Sequence, residues 1–185
     1  MQQELKRLVL HDAHAKLGAR FVPFAGFEMP IQYSGILDEH QCVRQAVGVF
    51  DVSHMGNFFI SGPDAVRAID HIVSNDISAL PVGKAAYTVM CREDGGIVDD
   101  LIVYKLAPER IMAIVNASRL HDDFAHMQQH LHGDAKLVDR SEEYTLLAIQ
   151  GPKALATIGA IITSDIASVA FYGVCETTSR GGHPL

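Results

Sequence analysis

The chain has 185 residues, a formal net charge of −7 and a hydrophobic fraction of 48%. This length allows one domain or two small lobes with a real core, and the composition is typical of a folded protein rather than a disordered one. The acidic charge argues against nucleic acid as the main ligand, because phosphate binding needs a basic surface.

The N-terminal part of the chain predicts two helices separated by an irregular segment. Apolar residues at helical spacing predict a helix over 2–17 that ends at Gly18. Between 19 and 35, aromatic residues interleave with glycine and proline, which disfavours regular structure and is typical of a packed cover or a binding wall. A second helix is predicted over 36–47.

After residue 56 the pattern changes to strands alternating with helices. Strands are predicted at 57–61, 85–92, 97–104 and 110–116, and near 135–139 and 144–150. Helices are predicted from Pro63 to about Val73, from a Ser118 cap through Leu131, and from Pro152 to Ile162. Turn residues at 93–96 and 107–109 join three successive strands into an antiparallel meander. The predicted fold class is therefore α+β, with mixed or antiparallel sheets, packed helices and two strand–helix–strand units.

Two clusters of reactive residue types are interpreted as structural. His126 and His130 have the HxxxH spacing of zinc proteases, but the glutamate base is missing, and helical geometry turns both rings away from the apolar stripe toward solvent. We therefore expect no metal. Asp51, Ser53 and His54 are the residue types of a hydrolase triad, yet neighbours on an extended segment point to opposite faces, and the sequence has no GxSxG motif.

An acidic pair inside the apolar stretch 95–104 is the most informative feature of the sequence. Carboxylates resist desolvation unless they gain partners. Strand alternation places Ile97 and Asp99 on one face and Asp100 on the other, so the two aspartates cannot form a dyad like that of an aspartic protease. One carboxylate then faces a pocket and the other a turn or solvent, or else both bond turn amides at a strand end. Asn116 is likewise either a helix-leading amide or a ligand contact.

The chain also carries a series of motifs in a definite order. They are Phe24-Ala25-Gly26-Phe27-Glu28-Met29-Pro30, Glu39-His40, Phe50-Asp51-Val52-Ser53-His54-Met55, Asn75-Asp76, Gly95-Gly96-Ile97-Val98-Asp99-Asp100-Leu101-Ile102-Val103-Tyr104 and Val115-Asn116-Ala117. From about His11 to Gly173 the chain closely resembles the aminomethyltransferase, or T-protein, family of the glycine cleavage system. The resemblance implies an enzyme that takes the aminomethyl group from the lipoyl arm of the H-protein, releases ammonia and converts tetrahydrofolate to 5,10-methylenetetrahydrofolate.

The same resemblance implies a set of site residues. Asp99, the first aspartate of the pair, corresponds to the family's catalytic carboxylate, which lies against the pterin and the reacting folate nitrogens. Met55, Tyr87, Val115 and Asn116 are implied to line the folate pocket together with Asp99. The implied partners are tetrahydrofolate, as the acceptor substrate, and the H-protein with its lipoyl arm, without a metal, a nucleic acid or a membrane.

The resemblance ends near residue 174. Family members are roughly twice as long and carry a further Gly-Tyr-Thr-Gly-Glu motif and a C-terminal barrel domain. We therefore expect 1–174 to be an incomplete N-terminal folate-binding region, followed by an atypical tail at 175–185, with the barrel absent. Two hypotheses remain: an aminomethyltransferase, or a truncated, non-catalytic folate-binding remnant of that enzyme. The three dispersed cysteines and the lack of a targeting segment predict a cytoplasmic location.

Overall fold

The computed structural model describes residues 4–185 as short helices and mostly antiparallel strands. The strands are β1 (Lys6–Arg7), β2 (Arg20–Phe24), β3 (Phe27–Gln32), β4 (Gly48–Asp51), β5 (Gly56–Ser61), β6 (Lys84–Cys91), β7 (Ile97–Ala107), β8 (Arg110–Val115), β9 (Lys136–Asp139) and β10 (Leu147–Gln150). The helices are α1 (His11–Lys16), α2 (Ile36–Gln45), α3 (Ala65–Ile72), α4 (Leu120–His130) and α5 (Ala154–Gly159). The predicted α+β class with mixed and antiparallel sheets is confirmed. Within 4–185, no helix is both long enough and apolar enough to cross a membrane.

The chain divides into two units, each built from separate stretches. The first comprises the chain up to His54 with Thr145–Ser168 and Glu176–Leu185, and the second comprises Met55–Tyr144 with Val169–Cys175. In the first unit, β3 pairs in parallel with β1 and antiparallel with β2, and β4 pairs antiparallel with β10. In the second unit, an antiparallel sheet has the strand order β6-β7-β8-β5-β9.

The core of the second unit lies between this sheet and helices α3 and α4. The buried residues of α3 recur at helical spacing, so the helix presents one apolar face to β5 and β8. The largest fully buried apolar side chains of the core are Phe58, Ile60, Ile69, Ile77, Met90, Leu101, Ile111 and Met127. Burying each such side chain contributes roughly 1.5–3 kcal/mol, so this layer contributes strongly to the stability of the unit.

Lys105 is a charged residue on the core face of β7. Its side chain is buried, and Nζ donates hydrogen bonds to the backbone carbonyl oxygens of Ile77 and Ser78 at 3.1 and 3.0 Å. A buried ammonium group needs such acceptors, because its desolvation is otherwise uncompensated. Lys105 therefore ties the segment after α3 to the sheet.

The N-terminal segment differs from the sequence expectation. Helix α1 begins at His11 rather than at residue 2, because Lys6–Arg7 pairs with β3; residues 1–3 lie outside the described part of the chain. The stretch 19–35, expected to be irregular, forms the hairpin of β2 and β3. Its turn residues Ala25 and Gly26 have φ values of 48° and 82°, as a two-residue hairpin turn requires. The predicted loop was wrong because glycine suits such a turn, Pro23 lies on the edge strand β2, and Pro30 lies on β3 beyond its pairing with β1.

Elsewhere the predicted elements exist with shifted boundaries. The meander of β6, β7 and β8 lies within two or three residues of its predicted bounds. Helix α4 is preceded by a 3-10 turn at Ala117–Arg119, and neither element has the predicted side-chain cap from Ser118. Strand β4 was not predicted, because its four residues follow α2 directly and its partner β10 lies far along the chain.

Candidate functional site

Asp99 lies where strand β7 departs from regular pairing. Asp99 is opposite Met90, whereas Ile97 is opposite Cys91, so Val98 is the extra residue of a β-bulge. The bulge reverses the alternation of faces, since Ile97 is exposed and Val98 packs against the core. The prediction that Ile97 shares a face with Asp99 is therefore wrong. β-Bulges are frequent beside functional sites because they re-aim a side chain.

The side-chain amide of Asn116 contacts the Asp99 carboxyl group. Strand β8 ends at Val115, opposite Leu101, so Asn116 lies beside the aspartate pair just beyond the last paired residue. Its Nδ2 is 3.1 Å from each carboxyl oxygen of Asp99, 3.0 Å from the backbone oxygen of Asp100 and 3.3 Å from Asp100 Oδ1. An amide nitrogen carries two hydrogens, so it donates to Asp99 and to Asp100 together. This amide fixes the Asp99 side chain rather than capping the following 3-10 turn.

Asp100 has a second partner on the neighbouring strand. The Tyr87 hydroxyl group donates a hydrogen bond to Asp100 Oδ2 at 2.6 Å. Tyr87 is opposite Ile102, so its ring lies diagonally across from Asp100 on the same sheet face, where it is 56% exposed. The hydrogen bond to Asp100, followed by the negative charge of that carboxylate, raises the pKa of the Tyr87 phenol. Tyr87 is therefore a neutral donor at physiological pH.

Met55 and Val115 lie at the same end of the sheet. Gly56, which follows Met55, pairs with Val115. Val115 is fully buried in the core, and a Cβ added at Gly56 would lie 2.5 Å from its Cγ2, so glycine is required for this close approach. Met55 is half-buried, and its carbonyl oxygen accepts a hydrogen bond from Asn57 Nδ2 at 3.1 Å. The register thus places all the predicted site residues near one sheet end, with Tyr87 on the face of Asp100 rather than that of Asp99, and with Val115 in the underlying core.

This arrangement belongs to a chain that matches a known domain over almost its whole length. The family model described as the GCVT N-terminal domain matches residues 10–184. The chain belongs to the GCVT N-terminal domain family. It is 45% identical over 182 residues to the aminomethyltransferase of Thermotoga maritima and 47% identical over 169 residues to that of Chloroherpeton thalassium. These matches cover 98% and 91% of this chain and 50% and 47% of the relatives, so the chain spans about half the length of the curated relatives it matches.

One solved structure supports the GCVT assignment, and a second shows a similar fold. The crystal structure of glycine cleavage system aminomethyltransferase T from Bartonella henselae matches with a TM-score of 0.84 and 35% identity, covering 91% of this chain and 46% of that chain. The heterotetrameric sarcosine oxidase of Corynebacterium sp. U-96 matches with a TM-score of 0.56 and 13% identity, covering 95% of this chain and 76% of that chain. The second likeness shows the fold alone. The resemblance to the aminomethyltransferase family is confirmed.

The GCVT domain also contains a buried acid that the sequence reasoning missed. Asp123 is fully buried on helix α4, three residues after Leu120 and four before Met127. That spacing places Asp123 within the apolar stripe of the helix, and this position is the sequence signal that could have indicated a buried acid. Burial, followed by a hydrogen bond to Asp99 and the negative charge of Asp99, raises the pKa of Asp123 to about 8. Asp123 is therefore mainly protonated at neutral pH.

The two histidines of α4 form a local pair. His126 and His130 are half-buried, so the expectation that both face solvent was wrong. Their ring centroids are 4.3 Å apart, and His130 Nδ1 is 2.8 Å from the carbonyl oxygen of His126. Burial, followed by the charge of His130, lowers the pKa of His126. Among residues 4–185, no group of three or more His, Cys, Asp or Glu side chains could hold a metal ion.

In the first unit, Asp51 forms a hydrogen bond with His14, which is not one of the three residues considered above as a hydrolase triad. His14 Nε2 is 2.9 Å from Asp51 Oδ2, and His14 Nδ1 is 2.8 Å from the Tyr33 hydroxyl oxygen. Asp51 Oδ1 accepts a hydrogen bond from the backbone N–H of Ser53 at 3.0 Å. Tyr33 and Asp51 also line a cavity of about 440 Å³. The cluster joins α1, the residue after β3 and strand β4, and its histidine lies between a carboxylate and a tyrosine hydroxyl group rather than a serine.

Proposed function

We propose that this GCVT domain is the tetrahydrofolate-binding part of an aminomethyltransferase of the glycine cleavage system. The reaction transfers the one-carbon unit from the aminomethyl-lipoyl arm of the H-protein to tetrahydrofolate, releases ammonia and forms 5,10-methylenetetrahydrofolate. The observation that carries the proposal is the partly exposed Asp99 carboxyl group, fixed by Asn116 at the end of an apolar strand. The names of the relatives support the same reaction class.

The residues at this sheet end suit a flat, polar heterocycle. Such ligands bind against apolar and aromatic surfaces, with a few polar groups that set their orientation. Met55 and the exposed ring of Tyr87 supply surface of this kind, and Val115 supports it from the core. The Asn116 amide and the Asp99 carboxylate supply the polar groups.

A preorganised carboxylate also suits the transfer chemistry. Positive charge develops on nitrogen when an aminomethyl group is activated and transferred. A carboxylate aimed at that position stabilises this charge without having to reorient during the reaction. We therefore assign Asp99 the role of orienting the folate and stabilising the developing charge. Asp100, whose carboxylate already accepts from Tyr87, is assigned a structural role.

The test combines a binding measurement with a turnover measurement. Tetrahydrofolate binding is measured by calorimetry, and aminomethylated H-protein with tetrahydrofolate is assayed for ammonia and 5,10-methylenetetrahydrofolate. We expect saturable binding and equal amounts of the two products. Asp122→Asn, a change at an exposed acid, is the control variant and should behave like the parent in both measurements. Failure of tetrahydrofolate to bind would refute the proposal.

A second candidate follows from the fact that the chain spans about half the length of its curated relatives. Under this alternative the chain is a non-catalytic folate-binding protein. Binding of tetrahydrofolate without product formation would favour this alternative over the enzyme.

A further inference from the structure

Asp123 and Asp99 form a pair of carboxyl groups between helix α4 and strand β7. Asp123 is 0% exposed, and no N–H or hydroxyl group in the range 4–185 is a hydrogen-bond partner of either of its carboxyl oxygens. After burial, a hydrogen bond with Asp99 and the negative charge of Asp99 are the largest causes that raise the pKa of Asp123. Two carboxyl groups form a hydrogen bond only when one of them carries a proton, because ionised carboxylates are acceptors alone. An ionised Asp123 would be buried without any donor, which is strongly disfavoured.

We propose that Asp123 carries this proton and donates it in a hydrogen bond to Asp99, so that Asp123 is the positioning residue of the catalytic carboxylate. The pair then holds one proton and one negative charge. Asn116 Nδ2 donates to Asp99 from the end of β8, and Asp123 donates from the core. Asp99 is therefore held by two donors on different elements, and its orientation does not depend on bound substrate. The catalytic consequence rests on the proposed function, whereas the shared proton is a property of this chain alone.

The charged groups around Asp123 act in opposite directions. Asp99 on β7 and Asp122 on α4 disfavour a second negative charge, whereas Arg119 favours it. Arg119 is engaged elsewhere, since its Nη1 is 2.8 Å from Asp122 Oδ2 at an exposed position. Burial and the like charge of Asp99 therefore dominate.

The shared proton is tested on this chain without substrate. Infrared spectroscopy and carboxyl-carbon NMR of aspartate-labelled protein distinguish protonated from ionised carboxyl groups. At pH 7 we expect a protonated signal in the parent and in Asp122→Asn, and its loss in Asp123→Asn. In Asp99→Asn the midpoint of the remaining titration should move to lower pH, because the like charge is removed. A parent chain in which every aspartate is ionised at pH 7 would overturn the proposal.

The positioning role is tested by turnover of the same variants. Asp123→Leu removes the donor and should lower kcat by about 10²-fold with little change in tetrahydrofolate affinity, as expected when a catalytic group is misplaced. Asp123→Asn keeps an N–H donor at the same position and should recover most of that loss. Equal losses in the Leu and Asn variants, with both folded by circular dichroism, would overturn the positioning role. If the parent binds tetrahydrofolate without turnover, the non-catalytic alternative to the proposed function is favoured, and the spectroscopic measurement still decides the shared proton.

Discussion

Replacing Asp123 by asparagine should stabilise the chain at neutral pH, because the parent acid must take up a proton in order to be buried. Its pKa is about 8 in the folded chain and about 3.9 in an unfolded one. The folded state therefore binds the proton more tightly. The contribution of this group to stability is fully present below about pH 4 and is lost as the pH rises toward 8. Asparagine has nearly the same shape and needs no proton.

The size of the effect follows from these two pKa values. Between about pH 4 and about pH 8, each pH unit changes the free energy of unfolding of the parent by about 1.4 kcal/mol. The advantage of Asp123→Asn should therefore grow by about 3 kcal/mol between pH 5 and pH 7. The additional amide hydrogen, left without an acceptor in the core, costs about 1–3 kcal/mol at every pH. The variant should thus be about as stable as the parent at pH 5 and more stable at pH 7.

Urea unfolding followed by far-ultraviolet circular dichroism at pH 5, 6 and 7 measures this difference. Asp122→Asn is the matched control, since Asp122 is the exposed acid next to Asp123, and its curves should remain parallel to those of the parent. A difference between Asp123→Asn and the parent that does not change with pH would refute the reasoning. It would show that Asp123 is buried without holding a proton.

Three further predictions concern the aspartate pair, Lys105 and Asp51. Asp99→Asn should remove about 2–4 kcal/mol of transition-state stabilisation with little change in folate affinity, whereas Asp100→Asn should mainly lower the thermal midpoint; kinetics and calorimetry of both variants check this. Lys105→Met should destabilise the chain by about 2–4 kcal/mol in urea unfolding, because the buried carbonyl oxygen of Ile77 and the partly buried one of Ser78 lose their donor, and an unchanged midpoint would contradict this. Burial raises the pKa of Asp51, but hydrogen bonds led by that from His14 outweigh it and leave the pKa lowered. The stabilisation that the Asp51 carboxylate provides is therefore present above about pH 4 and is lost as the pH falls through its pKa in the folded chain. Asp51→Asn should then lose less stability in acid than the parent does, as measured by unfolding from about pH 5 downward.

Much of the second unit could be predicted from the sequence. The strands β6, β7 and β8 are adjacent along the chain, and their apolar patterns and turn residues are local signals. The ordered motifs that carry the family resemblance are likewise readable residue by residue. At the N-terminus the local signals were misleading, because the turn at Ala25-Gly26 and the pairing of Lys6–Arg7 with Phe27 and Glu28 depend on partners outside each window.

The surroundings of Asp99 were decided only by the tertiary structure. A period of two specifies which residues share a strand face, but the bulge at Val98 appears only when β7 is paired with β6. The contact between Asn116 and Asp99 depends on where β8 ends relative to β7. The protonation of Asp123 depends on burial and on a carboxyl group from a different element. Sequence patterns describe single elements, whereas desolvation and charge act between elements, so the site residues could be named from the sequence while the state of their carboxyl groups could not.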